Sequence, residues 1–390
     1  MNILVSGGWG YGNIGDDAIL EATSKLINAV DPAADVRWMT YDVDFTMQSG
    51  VELKGEIGYS VHRENDHGGA FHYLQTIGKS VPAAMWPKVP RRVYERFIRT
   101  MYVGLTSRFD RKVCNEDWFD WADIFVMSVC GYFNSCETMF DARVKEIELA
   151  RRHGCKVLLI GQSFGPFIPK QKSILAHVLN KGEVIVARDS ESVFELKTLG
   201  VSVGLMPDLA MGFTSEVAIS KGLLVVVPAE LNKMQGYALS QNLIRCFKRR
   251  LFSSLRIVLT RYIYPDVATA RQIKSILEKY GVIVDLRIPE NYSELIKSIS
   301  GAEIVVSRGL HAMILGWRSG SKVLALTKSR KVDGFLRAIG SSTNQTISDA
   351  WDDLSEKLFD VQHEDFNINC RIEVVNKVKV GFSDAFEGLI

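Results

Sequence analysis

The chain has 390 residues, 47% of them apolar and 24% charged, with a formal charge of +2. Such a length exceeds what one hydrophobic core fills, so about two domains are expected, and the composition excludes a disordered or fibrous chain. The near-neutral balance excludes a global nucleic-acid-binding field, and no apolar stretch reaches the roughly 18 residues that a membrane-spanning helix needs.

The chain opens on Met1-Asn-Ile-Leu-Val-Ser6, which runs straight into a strand without the basic and apolar regions of a signal peptide. The expected location is therefore cytoplasmic. Short β-branched runs then alternate with segments of helical period, the pattern of parallel strands joined by crossover helices. Strands are expected at Asn2–Ser6, Asp35–Tyr41, Asp123–Ser128, Lys156–Gly161, Glu183–Ala187 and Val201–Met206, with helices at Asp17–Val30, Phe140–His153, Lys170–Asn180 and Glu191–Leu199. A second series follows at Leu223–Pro228, Arg256–Thr260, Val282–Leu286, Glu303–Ser307 and Lys322–Thr327. The predicted fold is α/β, two doubly wound Rossmann-like lobes facing a cleft. The first lobe covers 1–210, the second 211–345, and a helical tail over 346–390 packs back on them.

One segment, at about 62–120, breaks the rhythm and is read as a helical insertion. Within Lys88–Lys112 eight basic residues (Lys88, Arg91, Arg92, Arg96, Arg99, Arg108, Arg111, Lys112) face two acids (Glu95, Asp110), interleaved with aromatic and aliphatic side chains. That pattern fits a peripheral contact with the anionic inner face of a membrane, or a solvated helix on its own domain. Six scattered cysteines (Cys114, Cys130, Cys136, Cys155, Cys246, Cys370) show no C-x-x-C spacing, so buried thiols and no metal site are expected.

The chemistry should sit in the loops that follow the strands, because ligands of open α/β sheets bind at the carboxyl ends of the strands. The first loop, Gly7–Asp17, contains a G-x-G-x-x-G match at Gly10, Gly12 and Gly15. Asp16 and Asp17 sit on the helix start, however, where they would repel a pyrophosphate, and Asp42, which could serve as a ribose acid, follows the loop at a longer spacing than usual. A neutral, hydroxyl-rich ligand suits that end better, with Asp16 also a candidate N-cap. Gly161-Gln-Ser-Phe-Gly-Pro166 offers Gln162 and Ser163 as hydrogen-bonding groups. In Ala187-Arg-Asp-Ser190 the guanidinium of Arg188 suits a carboxylate or phosphate, and Pro207-Asp208 lies at the crossing between lobes. Ser307-Arg-Gly-Leu-His-Ala-Met313 brings Arg308 and His311 to a second-lobe strand end, where Lys328, Arg330 and Lys331 add charge. These loops together predict an anion-binding wall.

The set G-x-G-N-I-G-D-D-A-I-L, G-Q-S-F-G-P, A-R-D-S with P-D downstream, S-R-G-L-H and K-V-x-G-F-L resembles the polysaccharide pyruvyl transferase family over about residues 1–340. The resemblance implies a GT-B-like fold and transfer of pyruvate from phosphoenolpyruvate to a glycan or lipid-linked sugar, usually as a ketal. It implies no further cofactor. Carried over to this sequence, Arg188, Arg308, His311 and Lys331 would hold phosphoenolpyruvate, and Asn13, Gly15, Asp16, Gln162 and Ser163 would line the acceptor side. His311 would act as general acid, and Asp16 or Asp208 as base. Two departures from the family pattern stand out: Gly309 where many members carry arginine, and Val129-Cys130-Gly131 where many carry three glycines. A GT-B glycosyltransferase using a nucleotide sugar, or a non-catalytic sugar-phosphate-binding protein, would share most of these features.

Overall fold

The computed structural model describes the chain except for Tyr11, Gly12, Asp42, 60–115, Val129, Cys130, Tyr132, Ser135, Cys136, Glu216, Glu230, 261–263 and 342–353. The basic segment at 88–112 and the Val129-Cys130 pair thus lie outside the described residues.

Two all-parallel sheets form the frame. The first runs β3-β2-β1-β4-β5-β6-β7, with β1 Asn2–Ser6, β2 Asp35–Thr40, β3 Glu56–Tyr59, β4 Ile124–Met127, β5 Lys156–Gln162, β6 Val184–Ala187 and β7 Gly204–Leu205. The second runs β10-β9-β8-β11-β12, with β8 Ser220–Val227, β9 Ser254–Val258, β10 Val284–Arg287, β11 Ala302–Ser307 and β12 Lys322–Ala325. Central strands read as continuous apolar runs because helices cover both faces of a parallel sheet. Leu4 of β1 packs to one side while Ile3 and Val5 pack to the other, and all are fully buried.

The helices are α1 Asp17–Val30, α2 Val43–Met47, α3 Asp117–Trp121, α4 Glu137–Arg152, α5 Pro169–Val178 and α6 Ser190–Lys197 in the first half. In the second half they are α7 Lys233–Lys248, α8 Tyr264–Lys279, α9 Tyr292–Ile299, α10 Leu310–Arg318, α11 Arg330–Ala338, α12 Leu354–His363 and α13 Ile368–Glu387. Among the described residues, no helix is long and apolar enough to cross a membrane.

The lobes are not two separate globules. Val5 and Val126 of the first sheet belong to the same buried cluster as Val225 and Val305 of the second, with α1 and α10 between them. Near this shared core, Arg318 donates to Glu21 Oε2 (2.9 Å), and the Tyr292 hydroxyl donates to the same oxygen at 2.8 Å. Burial pushes the Glu21 carboxyl up, but Arg318, Lys25 and Tyr292 outweigh it and hold the group below its usual range. In the tail, α12 packs on the second sheet, whereas α13 returns to the first lobe and lies on α1, β5 and β6. Phe382 and Phe386 of α13 are fully buried there.

Two strands depart most from the sequence reading. The edge strand β3 was not expected, because Glu56 is exposed and Gly58 interrupts the apolar run. The strand expected over Val201–Met206 shrinks to Gly204–Leu205 at the opposite edge, where β6 alone pairs with it and both residues are exposed.

Candidate active site

In each sheet the strand order reverses once, between β1 and β4 and between β8 and β11. Ligands collect outside the carboxyl ends of the strands at such a reversal. Both reversal points open into one cavity of about 570 Å³. The first lobe contributes Asn13, Gly15 and Asp16 after β1, Gly131 and Asn134 after β4, and Arg188 after β6. From the second lobe come Ala229, Thr260, the run Arg308–Ala312, Thr327, Ser329 and Lys331.

The glycine-rich loop is braced from below. Arg143 and Glu146, both fully buried on α4, pair at 2.7 Å, and Arg143 also donates to Ser6 Oγ (2.8 Å), to the Gly7 carbonyl and to the Tyr41 hydroxyl. Trp9 donates its indole N–H to the Met39 carbonyl at 3.0 Å. A side chain at Gly7 would collide with that indole, which accounts for glycine there. Asn13 caps the 3-10 turn Ile14–Asp16 by accepting from the Gly15 N–H.

Asp16 occupies the N-cap position of α1 expected from the sequence, but its side chain makes no capping bond to the helix. Its Oδ1 instead accepts from Asn13 Nδ2 (3.1 Å) and faces His311 Nδ1 at 3.1 Å across the lobe boundary. His311 occupies the first turn of α10, whose N-cap is Gly309. A Cβ at Gly15 would come within 3.0 Å of His311 Cβ, so glycine permits this approach. His311 Nε2 is buried and has no hydrogen-bond partner among the described residues.

Asp17 corrects a second expectation. Its carboxyl is fully buried, neither oxygen has a partner among the described residues, and burial followed by the nearby Asp16 raises its pKa well above the usual carboxylate range. The helix start therefore favours one negative charge rather than two. A proton retained in the fold and released on unfolding makes stability fall as pH rises above the ordinary Asp value. Asp17→Asn is accordingly expected to raise the melting temperature more at pH 8 than at pH 4, by the equivalent of about 1.4 kcal/mol for each pH unit by which the folded pKa is raised. An equal change in the two melts would refute this.

Arg188 is nine-tenths buried and donates through Nη1 to Asp208 Oδ2 at 2.5 Å and through Nε to Ser163 Oγ at 2.8 Å. The other oxygen of Asp208 accepts from the Ala210 N–H at 2.9 Å. Asp208 is thus the counter-ion of Arg188 and a turn cap, not a carboxylate turned toward an acceptor. Gln162 and Ser163 stand behind the cavity wall rather than on it. Gln162 is fully buried with its amide on the Met127 carbonyl, and Ser163 links Arg188 to Asp189 Oδ2 (2.6 Å). Arg330, counted with the anion wall from the sequence, turns instead to Asp189 and the Phe164 carbonyl.

Gly131 escaped the sequence reading, in which only the loss of its two glycine neighbours was noted. A Cβ there would lie 2.5 Å from Lys331 Nζ and 3.6 Å from Arg188 Nη2, so the two cations converge from opposite lobes over the one residue that leaves them room. Asn134, Thr260, Thr327 and Ser329 were also missed, although their places just past strand ends were a usable signal.

The family model for polysaccharide pyruvyl transferase matches residues 13–327, most of the chain, from Asn13 through the loops that carry Arg188, Arg308 and His311 to Thr327. The chain belongs to the polysaccharide pyruvyl transferase family. It is a transferase of that family on a GT-B-like fold. Among solved structures it is similar to UDP-GlcNAc 2-epimerase from Neisseria meningitidis bound to UDP-GlcNAc (TM-score 0.55, 13% identity, 99% of this chain and 100% of that one). It is likewise similar to the UDP-N-acetylglucosamine 2-epimerase of Rickettsia bellii (TM-score 0.56, 8% identity, 99% and 96%) and to HepE of Anabaena in complex with UDP (TM-score 0.54, 11% identity, 99% and 98%). At these identities the likeness is one of fold. No curated protein matches the chain in sequence.

Proposed function

We propose that the chain transfers pyruvate from phosphoenolpyruvate to a pair of hydroxyls on a glycan, free or lipid-linked, releasing phosphate and leaving a pyruvate ketal. The observation that carries this reading is the convergence of Arg188, Arg308 and Lys331 on one cavity with an imidazole oriented by a carboxylate. A donor with one phosphate and one carboxylate needs several cations at once, and arginine forks suit both groups. A cavity of about 570 Å³ has room for it beside a sugar ring.

The chemistry asks for one proton on carbon. His311 donates it from Nε2 to the methylene of phosphoenolpyruvate, making a methyl group and an oxocarbenium-like C2, while Asp16 stabilises the charge and tautomer of the ring through Nδ1. One sugar hydroxyl adds to C2 and loses its proton. The second hydroxyl then displaces phosphate with cleavage of the C2–O bond, loses its own proton and closes the ketal. Phosphate leaves as the monohydrogen dianion, so one of the two released protons stays with it and the other returns to the imidazole. The acceptor approaches from Asn13 and Gly15 on the first lobe.

The test is phosphate release from phosphoenolpyruvate, measured with and without hexose- and N-acetylhexosamine-bearing oligosaccharides. Release that depends on the acceptor is expected. Turnover of a UDP-sugar with no use of phosphoenolpyruvate would overturn the reading in favour of a glycosyltransferase.

A further inference from the structure

We infer that Arg330 is a positioning residue that sets the spacing between Arg188 and Lys331, the two cations that converge on Gly131 from opposite lobes. The inference rests on the donor reading given above. Arg330 is the first residue of α11, and Lys331, which lines the cavity, is the second. The Arg330 guanidinium leaves its own lobe entirely. Nε and Nη2 donate to Asp189 Oδ1 at 3.0 and 2.9 Å, and Nη2 also reaches the Phe164 carbonyl and Ser192 Oγ, each at 2.6 Å.

On the far side of Asp189 the hydrogen bonds continue without a gap to the anion site. Ser163 Oγ donates to Asp189 Oδ2 at 2.6 Å, and Arg188 Nε donates to Ser163 Oγ at 2.8 Å. Burial raises the Asp189 carboxyl, but Ser163, Ser192 and Arg330 outweigh it and keep the group below its usual range, so the anchor stays charged. A second ion pair from α11 to the first lobe among the described residues, Arg337 to Glu191, is solvent-exposed on both sides and contributes little. Arg330 is therefore the polar anchor that, beside the apolar face of Val332, Phe335 and Leu336, holds α11, and with it Lys331, against the loop carrying Arg188. Phosphoenolpyruvate bridging the two cations tolerates little error in that spacing.

The experiment measures the Kd of phosphoenolpyruvate by calorimetry, with kcat and KM, for the wild-type chain, Arg330→Met and Arg330→Lys. Arg330→Met is expected to weaken phosphoenolpyruvate about tenfold or more in Kd and KM while kcat at saturation changes less, because misplacement of a binding group is felt first in the bound ground state. Arg330→Lys should recover part of that loss, since an ammonium reaches Asp189 but cannot span all three acceptors. Unchanged Kd in Arg330→Met, or a fall in kcat with KM unaltered, overturns the inference. Should Arg330→Met fail to fold, Arg330→Lys decides alone, and wild-type affinity in it is the overturning result. Absence of phosphoenolpyruvate binding by the wild-type chain overturns the donor reading itself, a failure distinct from wild-type binding that the variants share.

Discussion

Replacing His311 with alanine is expected to lower kcat for acceptor-dependent phosphate release by about 10²- to 10⁴-fold, the usual contribution of a positioned proton donor. Asp16→Asn should lose activity on a similar scale with the fold intact. The amide can offer its N–H group to Nδ1 and so stabilise the wrong tautomer, and it cannot balance an imidazolium. The pair also makes a quantitative demand. Asp16 Oδ1 and His311 Nδ1 lie 3.1 Å apart, so the two act as one unit, and the double variant should be little worse than either single one. Full additivity would separate them and return Asp16 to the role of an independent base at the acceptor. Full activity of His311→Ala would remove the assignment altogether.

The same pair illustrates what could and could not be read from the sequence. Strands such as β1, β4 and β11 were legible because parallel strands covered on both faces must be apolar along their whole length. Once the strands are placed, topology forces the loops after them to the carboxyl edge, and for that reason Asn13, Arg188, Arg308, His311 and Lys331 could be nominated without coordinates. Which of those side chains face one another was not legible. The contacts Asp16 to His311, Arg188 to Asp208 and Arg330 to Asp189 join distant parts of the chain or different loops, and no local pattern encodes them. Gln162 and Ser163 show the limit most plainly. Their loop was found, but whether a polar side chain on it faces ligand or backbone depends on the neighbouring strand, and Met127 and Asp189 claim both residues. Gly131 shows the converse, since its importance comes from two side chains that reach it from elsewhere.

Arg188→Met is expected to cost both stability and donor binding, and the two losses can be pulled apart. Arg188 and Asp208 are each more than nine-tenths buried, and their charge-assisted bond is 2.5 Å long. Removing the guanidinium strands a carboxylate out of water, a change that typically costs about 3–5 kcal/mol, and the melting temperature should fall by several degrees. Asp208→Asn leaves the cation in place with a weaker partner and should cost less. The informative variant is the double one, Arg188→Met with Asp208→Leu, in which no charge is stranded. Replacing a buried ion pair by apolar groups of similar volume is often neutral or stabilising, so most of the melting temperature should return. Affinity for phosphoenolpyruvate should not return with it, because the fork that meets the anion is gone. If Arg188 served structure alone, restoring the stability would restore binding as well. Recovery of the melt without recovery of the ligand therefore assigns the arginine to the anion, and recovery of both would transfer that task to Arg308 and Lys331.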